Sequence, residues 1–285
     1  MNPSGDARGN AIARWTLIHA LRALAPFPAG SFVLVGAQAA YLRAPKGITA
    51  IAAFTLDGDL AADPRKIRRA RSIPEHLERA GFVFRNDIGG FYSHGGAAPD
   101  DRYASKLDIL VPQGVAHLWE AEGYNRRDSH ATHSQPGLEL CLVDHSPMRL
   151  SPIDSNDDAD SVMVEVASIL ALLVAKGWKI GERFEQGRDA FQGVRKDIAD
   201  VYRLLRARQP AEGETVLQQL PRDSNVREIA RSGARYVGDL CGSGGAGVVL
   251  LSEILGRSEE ARITTASLEI LAAEFAASVE AALRI

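Results

Sequence analysis

Cysteine is scarce in this chain, with only Cys141 and Cys241 among 285 residues. They lie far apart and at no metal-finger or Cys-x-x-Cys spacing. This excludes a disulfide scaffold and fits a reducing compartment. An excess of positive charge is missing too: 33 Lys and Arg against 36 Asp and Glu leave a net charge of −3. Any contact with nucleic acid therefore has to come from a local basic patch. No apolar run reaches transmembrane length, and the most apolar stretch, Val162 to Val174, is interrupted by Glu165. The polar first ten residues lack the apolar core of a signal peptide. The expectation is a soluble, cytoplasmic protein with no membrane partner. What is present is ordinary globular composition, 46% hydrophobic and 24% charged, enough for one large domain or two smaller ones.

The stretch with the clearest chemistry is Phe54-Thr-Leu-Asp-Gly-Asp-Leu60. On a strand, Asp57 and Asp59 share one face while Leu56, Gly58 and Leu60 take the other. Two adjacent acids repel unless a hard divalent cation sits between them, which suits Mg²⁺ with substrate phosphates. The alternative is a β-hairpin turning at Asp57-Gly58. Ahead of this stretch the spacing predicts a helix over 11–25, stopped by Pro26 and Pro28, then a buried strand over 31–35. Gly36 follows, and 37–43 reads as a helix. A strand, a glycine and a helix N-terminus can cradle a phosphate, or can be a plain turn.

After the acid strand, placed at 54–61, Asp63-Pro64 reads as a cap and first turn of a helix over 64–80. Arg65, Lys66, Arg68, Arg69 and Arg71 make it a phosphate-backbone contact or a solvated face. Short strands at 82–85 and 90–92 precede a longer one at 102–111. There Lys106, Asp108 and Leu110 share a face, closed by Pro112. Asp108, among apolar neighbours, needs a metal or a partner such as Lys106. Three acids on neighbouring strands can hold two Mg²⁺ ions for in-line phosphoryl transfer.

Residues 137–143 alternate as a strand with His145 in the turn after it; a zinc site from His130, His133, Cys141 and His145 is the lesser alternative. The acidic stretch 154–160 reads as a linker, which gives domains at 1–155 and 156–285. Helices are expected at 166–180, 195–208, 214–220, 224–240, 246–256 and 265–283. The glycines of 241–247 join two of them without the Lys-Ser/Thr ending of a phosphate loop. Lys176 is costly to bury unpaired in so apolar a helix, and a triphosphate would satisfy it, with Lys179 as its rival.

Gly36-Ala37-Gln38, Asp57-Gly-Asp59, Asp108 in Lys-Leu-Asp-Ile-Leu-Val, Lys176 in Leu-Leu-Val-Ala-Lys, and Asp197 and Asp200 in Lys-Asp-Ile-Ala-Asp follow one another in order. In this set, over about residues 30–208, the chain resembles the AbiEii/MenT-like nucleotidyltransferases of the DNA polymerase β superfamily. The resemblance implies an α/β N-terminal domain with a mixed sheet, followed by a C-terminal helical domain closing the active site. It implies Mg²⁺ on Asp57, Asp59 and Asp108, a nucleotide triphosphate held at Gly36, Ala37, Gln38 and Lys176, and Lys176 and Asp197 completing the catalytic set. Ala37 and Gln38 stand where the family has serine. Members are known or proposed as toxins of toxin–antitoxin or phage-defence pairs, and some add nucleotides to the 3′ end of tRNA. The implied partners are thus tRNA and a cognate antitoxin. The other readings open at this point are an idle nucleotide or partner binder, and transfer to a small molecule or protein.

Overall fold

The computed structural model describes residues 3–44, 55–67, 72–85, 90–93, 105–121, 132–154, 158–185, 191–209, 214–256 and 259–284. Contacts group the chain into two compact units. One is drawn from Met1–Leu42, Ala52–Gln135 and His145–Ala167, the other from Arg43–Ile51, Pro136–Asp144 and Ser168–Ile285.

The first unit is α/β. Its elements are α1 (Pro3–Ala23), β1 (Phe32–Val35), α2 (Gly36–Arg43), β2 (Asp57–Ala62), α3 (Ile73–Arg79), β3 (Val83–Arg85), β4 (Gly90–Ser93), β5 (Ser105–Pro112), α4 (Gln113–Ala121), β6 (Thr132–Gln135), β7 (His145–Leu150) and β8 (Val162–Ala167). The strands form one mixed sheet in the order β3-β4-β5-β2-β1-β8-β7, with β6 also on β5. β1 runs antiparallel to β2 and parallel to β8, while β2 and β5 are parallel. All four residues of β1 are buried, as its unbroken apolar run requires. β5 alternates buried and half-buried positions instead. Helix α1 covers the face that carries Leu60, Leu107 and Ile109, all fully buried. Gly58 lies on that face too, and a Cβ there would come within 2.6 Å of Leu17 of α1. The acid-bearing residues of β2 consequently point to the other face of the sheet.

The structure differs from the sequence reading at several elements. The acid strand, expected over 54–61, runs Asp57–Ala62, and Asp57-Gly58 is extended ladder rather than a hairpin turn; Phe54 lies outside the described residues. The helix expected over 64–80 begins at Ile73, where the Ser72 hydroxyl accepts from the Glu75 amide. Pro74 explains the shift, since proline is tolerated in a first turn but not in a helix interior. Asp63 instead caps a short turn, accepting from the Arg65 amide at 3.0 Å. Residues 139–142 form a 3₁₀ turn rather than a strand, all four buried, which strict alternation cannot achieve. His145 opens β7, and Val162–Ala167 is a strand between β7 and β1, so the helix expected from 166 begins at Ile169. The acidic stretch thus falls inside the first unit. α1 holds it: Trp15 Nε1 donates to Asp154 Oδ1 at 2.8 Å, and Arg22 donates to the Ala159 carbonyl at 3.2 Å.

Helices make up the second unit beyond the 3₁₀ turn: α5 (Ile169–Glu185), α6 (Phe191–Ala207), α7 (Glu214–Gln219), α8 (Asn225–Cys241), α9 (Ala246–Leu255) and α10 (Glu259–Arg284). Ser168 caps α5, accepting from the Ala171 amide at 3.1 Å while its hydroxyl donates to Asp144. The glycines of 241–247 connect α8 to α9, as the sequence predicts. Arg227 of α8 is buried and gives its guanidinium to carbonyls that helix ends leave over: Leu217 and Leu220 at 3.2 Å each, and Leu283 near the end of α10. Arg227→Met strands those carbonyls. We expect it to lower unfolding free energy by about 2–3 kcal/mol, read as a fall in urea midpoint at unchanged m-value. A midpoint equal to the parent's would show that these contacts contribute nothing.

Candidate active site

Strand register assembles the site. β2 and β5 pair Asp57 with Lys106 and Asp59 with Asp108, while β4 and β5 pair Tyr92 with Lys106. β5 and β6 pair Leu110 with His133. Paired residues point to the same side, so Asp57, Asp59, Asp108, Lys106, Tyr92 and His133 share the sheet face opposite α1. Alternation in the sequence foretold the three acids. Tyr92 and His133 join them only through pairings of separate strands.

Gly36 borders this face. Val35 pairs with Asp59, and the chain turns at Gly36 with φ +68° into the first turn of α2. A Cβ on Gly36 would lie 2.0 Å from Asp59 Oδ2. The position therefore needs glycine twice, for the backbone angle and for the carboxylate set against it. Ala37 and Gln38 follow in α2, both buried. Gln38 turns to α1: its Oε1 accepts from Arg14 Nε at 2.7 Å and its Nε2 donates to Asn10 Oδ1 at 2.6 Å. Gln38 thus serves the packing of α1 against α2. Burial, with a neutral amide as partner, brings the Arg14 guanidinium down to about 10.

Asp108 is more enclosed than the Lys106 beside it, with 15% of its side chain exposed against 25%. Lys106 Nζ lies 2.8 Å from its buried Oδ1, a close ion pair. Burial raises the Asp108 carboxyl above its ordinary value against the opposing pull of Lys106. Burial would lower Lys106, yet the carboxylate of Asp108 outweighs it, and the ammonium is raised. Carboxylate oxygens on adjacent strands are the donor type of a hard divalent cation, and Asp108 Oδ1, buried with the Lys106 ammonium against it, is such a donor. As they stand, among the described residues no three His, Cys, Asp or Glu side chains converge to hold an ion. The zinc alternative is not assembled: His145 Nδ1 donates to Glu165 at 2.8 Å, Cys141 is fully buried, and His130 lies outside the described residues.

In the helical unit, Lys176 is 5% exposed and donates to Asp197 Oδ1 at 2.6 Å and Asp200 Oδ2 at 2.8 Å. Arg203 completes Asp200 at 2.7 Å, and Arg183 completes Asp197 at 2.8 Å, with Lys179 at 3.6 Å. Burial would raise the Asp197 carboxyl, but Lys176, Lys179 and Arg183 hold it down to about 2. Burial likewise opposes the charge on Lys176, and the two aspartates more than reverse that, lifting it above the usual ammonium range. The protein's own carboxylates supply the counter-charge that the sequence reading gave to a triphosphate. Asp200 is as deeply buried as Asp197. The reachable cations of α5 are Lys179 and Arg183, about a third exposed.

The basic stretch after Asp63 is partly committed. Arg65 grips Asp63 through two nitrogens at 2.8 and 2.9 Å, and Lys66 donates to the Gly30 carbonyl at 3.2 Å. Arg68, Arg69 and Arg71 lie outside the described residues. A scan of family models and searches of curated proteins and of solved structures find no match to this chain.

Proposed function

We propose that the chain is a Mg²⁺-dependent nucleotidyltransferase with a nucleotidyltransferase-like sheet domain. It moves a nucleotide from a nucleoside triphosphate to an acceptor hydroxyl, that of the 3′ end of tRNA, as the toxin of a toxin–antitoxin or phage-defence pair. The observation that carries this reading is the in-register placement of Asp59 beside Asp108, with Asp57 on the same face and the Gly36 turn at its border. Asp57, Asp59 and Asp108 hold the ions, and one of these acids takes the proton of the acceptor hydroxyl. The backbone of the Gly36 turn, at the start of α2, receives phosphate oxygens. Mg²⁺ held there would supply charge stabilisation at the α-phosphate.

A second reading is a catalytically idle nucleotide or partner binder. The commitment of both Gln38 and Lys176 to internal partners favours it. Incubating the protein with Mg²⁺, each labelled nucleoside triphosphate and total RNA separates the two. Transfer predicts label on RNA and released pyrophosphate; neither product with any nucleotide contradicts it and leaves the idle binder.

For a tRNA acceptor, Arg68, Arg69 and Arg71 are the better candidates for backbone contact, because Arg65 already has Asp63. Changing these three to Gln is expected to weaken RNA binding and flatten its dependence on log salt by about 0.7–0.9 per lost contact. An unchanged slope with RNA still labelled would move the acceptor groove elsewhere.

A further inference from the structure

We propose that Lys106 is a resident cation that competes with the divalent ion for Asp108, so that the third carboxylate becomes available only when the ammonium leaves it. The inference rests on the proposed function, because it concerns how the same acids take up their metal. Three observations point the same way. Lys106 Nζ stands 2.8 Å from Asp108 Oδ1, a buried oxygen. In register, Lys106 sits opposite Asp57, so the ammonium is held among the acids expected to bind the ion.

Gly90 supplies the third observation. It is the residue of β4 next to Asp108, and a Cβ there would meet Lys106 Cε at 2.4 Å and Asp108 Oδ1 at 3.0 Å. Gly90 is not among the glycines with positive φ, so what its missing side chain provides is room for the lysine stem to reach Asp108. The local sequence is thus fitted to this ion pair. An ammonium and a hard divalent ion both seek the same carboxylate oxygen, and one excludes the other from it. A resident ammonium also accounts for a face that carries three acids without drawing them together.

A double-mutant cycle with Mn²⁺ as the probe tests this, with binding measured by calorimetry on the full chain and folding checked by circular dichroism. Lys106→Met is expected to tighten Mn²⁺ about tenfold or more, given the strength of a charge at contact distance in a partly buried site. In an Asp108→Asn background the same substitution is expected to gain little, because the contested ligand is gone. An equal gain in both backgrounds would mean that Lys106 acts only through its long-range field, and would overturn the competition. No gain in either background, while Asp59→Asn abolishes binding, would also overturn it and leave the metal site standing. No Mn²⁺ binding by the parent or by Lys106→Met would instead overturn the proposed function, and this inference with it.

Discussion

Asp57→Ala and Asp59→Ala are each expected to abolish nucleotide transfer while the protein melts at or slightly above the parent temperature. Both carboxylates lie on the half-buried side of β2 and neither packs in the core. Removing one deletes a metal ligand, and a bound metal contributes several kcal/mol of transition-state charge stabilisation, which is about a thousandfold or more in rate. Removing one also relieves repulsion between neighbouring acids, which offsets the attraction to Lys106 that is lost. Pyrophosphate release and a thermal melt of each variant check the two halves together. Near-parental turnover would contradict the metal-site reading. Lost turnover accompanied by a collapse in melting temperature would make these acids structural instead.

Lys176→Met has the opposite signature, a large loss of stability. Its ammonium neutralises Asp197 and Asp200, which are 2% and 1% exposed. Breaking a buried ion pair by removing one partner typically costs about 3–5 kcal/mol, because the remaining charge is left uncompensated. Arg183 and Arg203 retain one carboxylate each, which places the expected loss toward the lower end, near 3 kcal/mol. Lys179→Met, at a site 38% exposed and 3.6 Å from its acid, is expected to cost under about 1 kcal/mol. Equal costs for the two variants would contradict the network.

The same network sets an acid limb. Asp197 titrates near 2 when folded, below the ordinary carboxylate value, so more protons bind the unfolded chain as pH falls. Its contribution, of order 2 kcal/mol, is complete above about pH 4 and is lost as pH drops toward 2. Asp197→Asn should remove that limb from a plot of stability against pH. A parental acid limb in this variant would place its origin in other carboxylates.

The parts of this architecture that were legible in the sequence are those fixed by local periodicity. β5 declares itself by alternating Lys106, Asp108 and Leu110 with buried Leu107, Ile109 and Val111, and Asp57 and Asp59 follow the same rule. β8 did not, because Val162–Ala167 runs almost directly into apolar α5, and only pairing with β1 and β7 separates strand from helix. Pro74 was the available signal that a helix could not run through 64–80. Nothing local foretold that Gln38 would turn to Asn10 and Arg14, or that Lys176 would meet Asp197 and Asp200. Those contacts depend on how one helix packs on another. Gly90 was likewise unreadable, because its meaning comes from Lys106 on the neighbouring strand.

Under the proposed function the acid face of β2 and β5 binds a divalent ion together with nucleotide. Paramagnetic broadening by Mn²⁺, read at backbone amides of the full chain with and without nucleoside triphosphate, tests it most directly. Selective broadening is expected at Val35–Ala37, Asp57–Asp59 and Lys106–Asp108, strengthened by nucleotide and lost in Asp59→Asn. Broadening centred elsewhere, for example at His145 and Glu165, or none with nucleotide present, would contradict it.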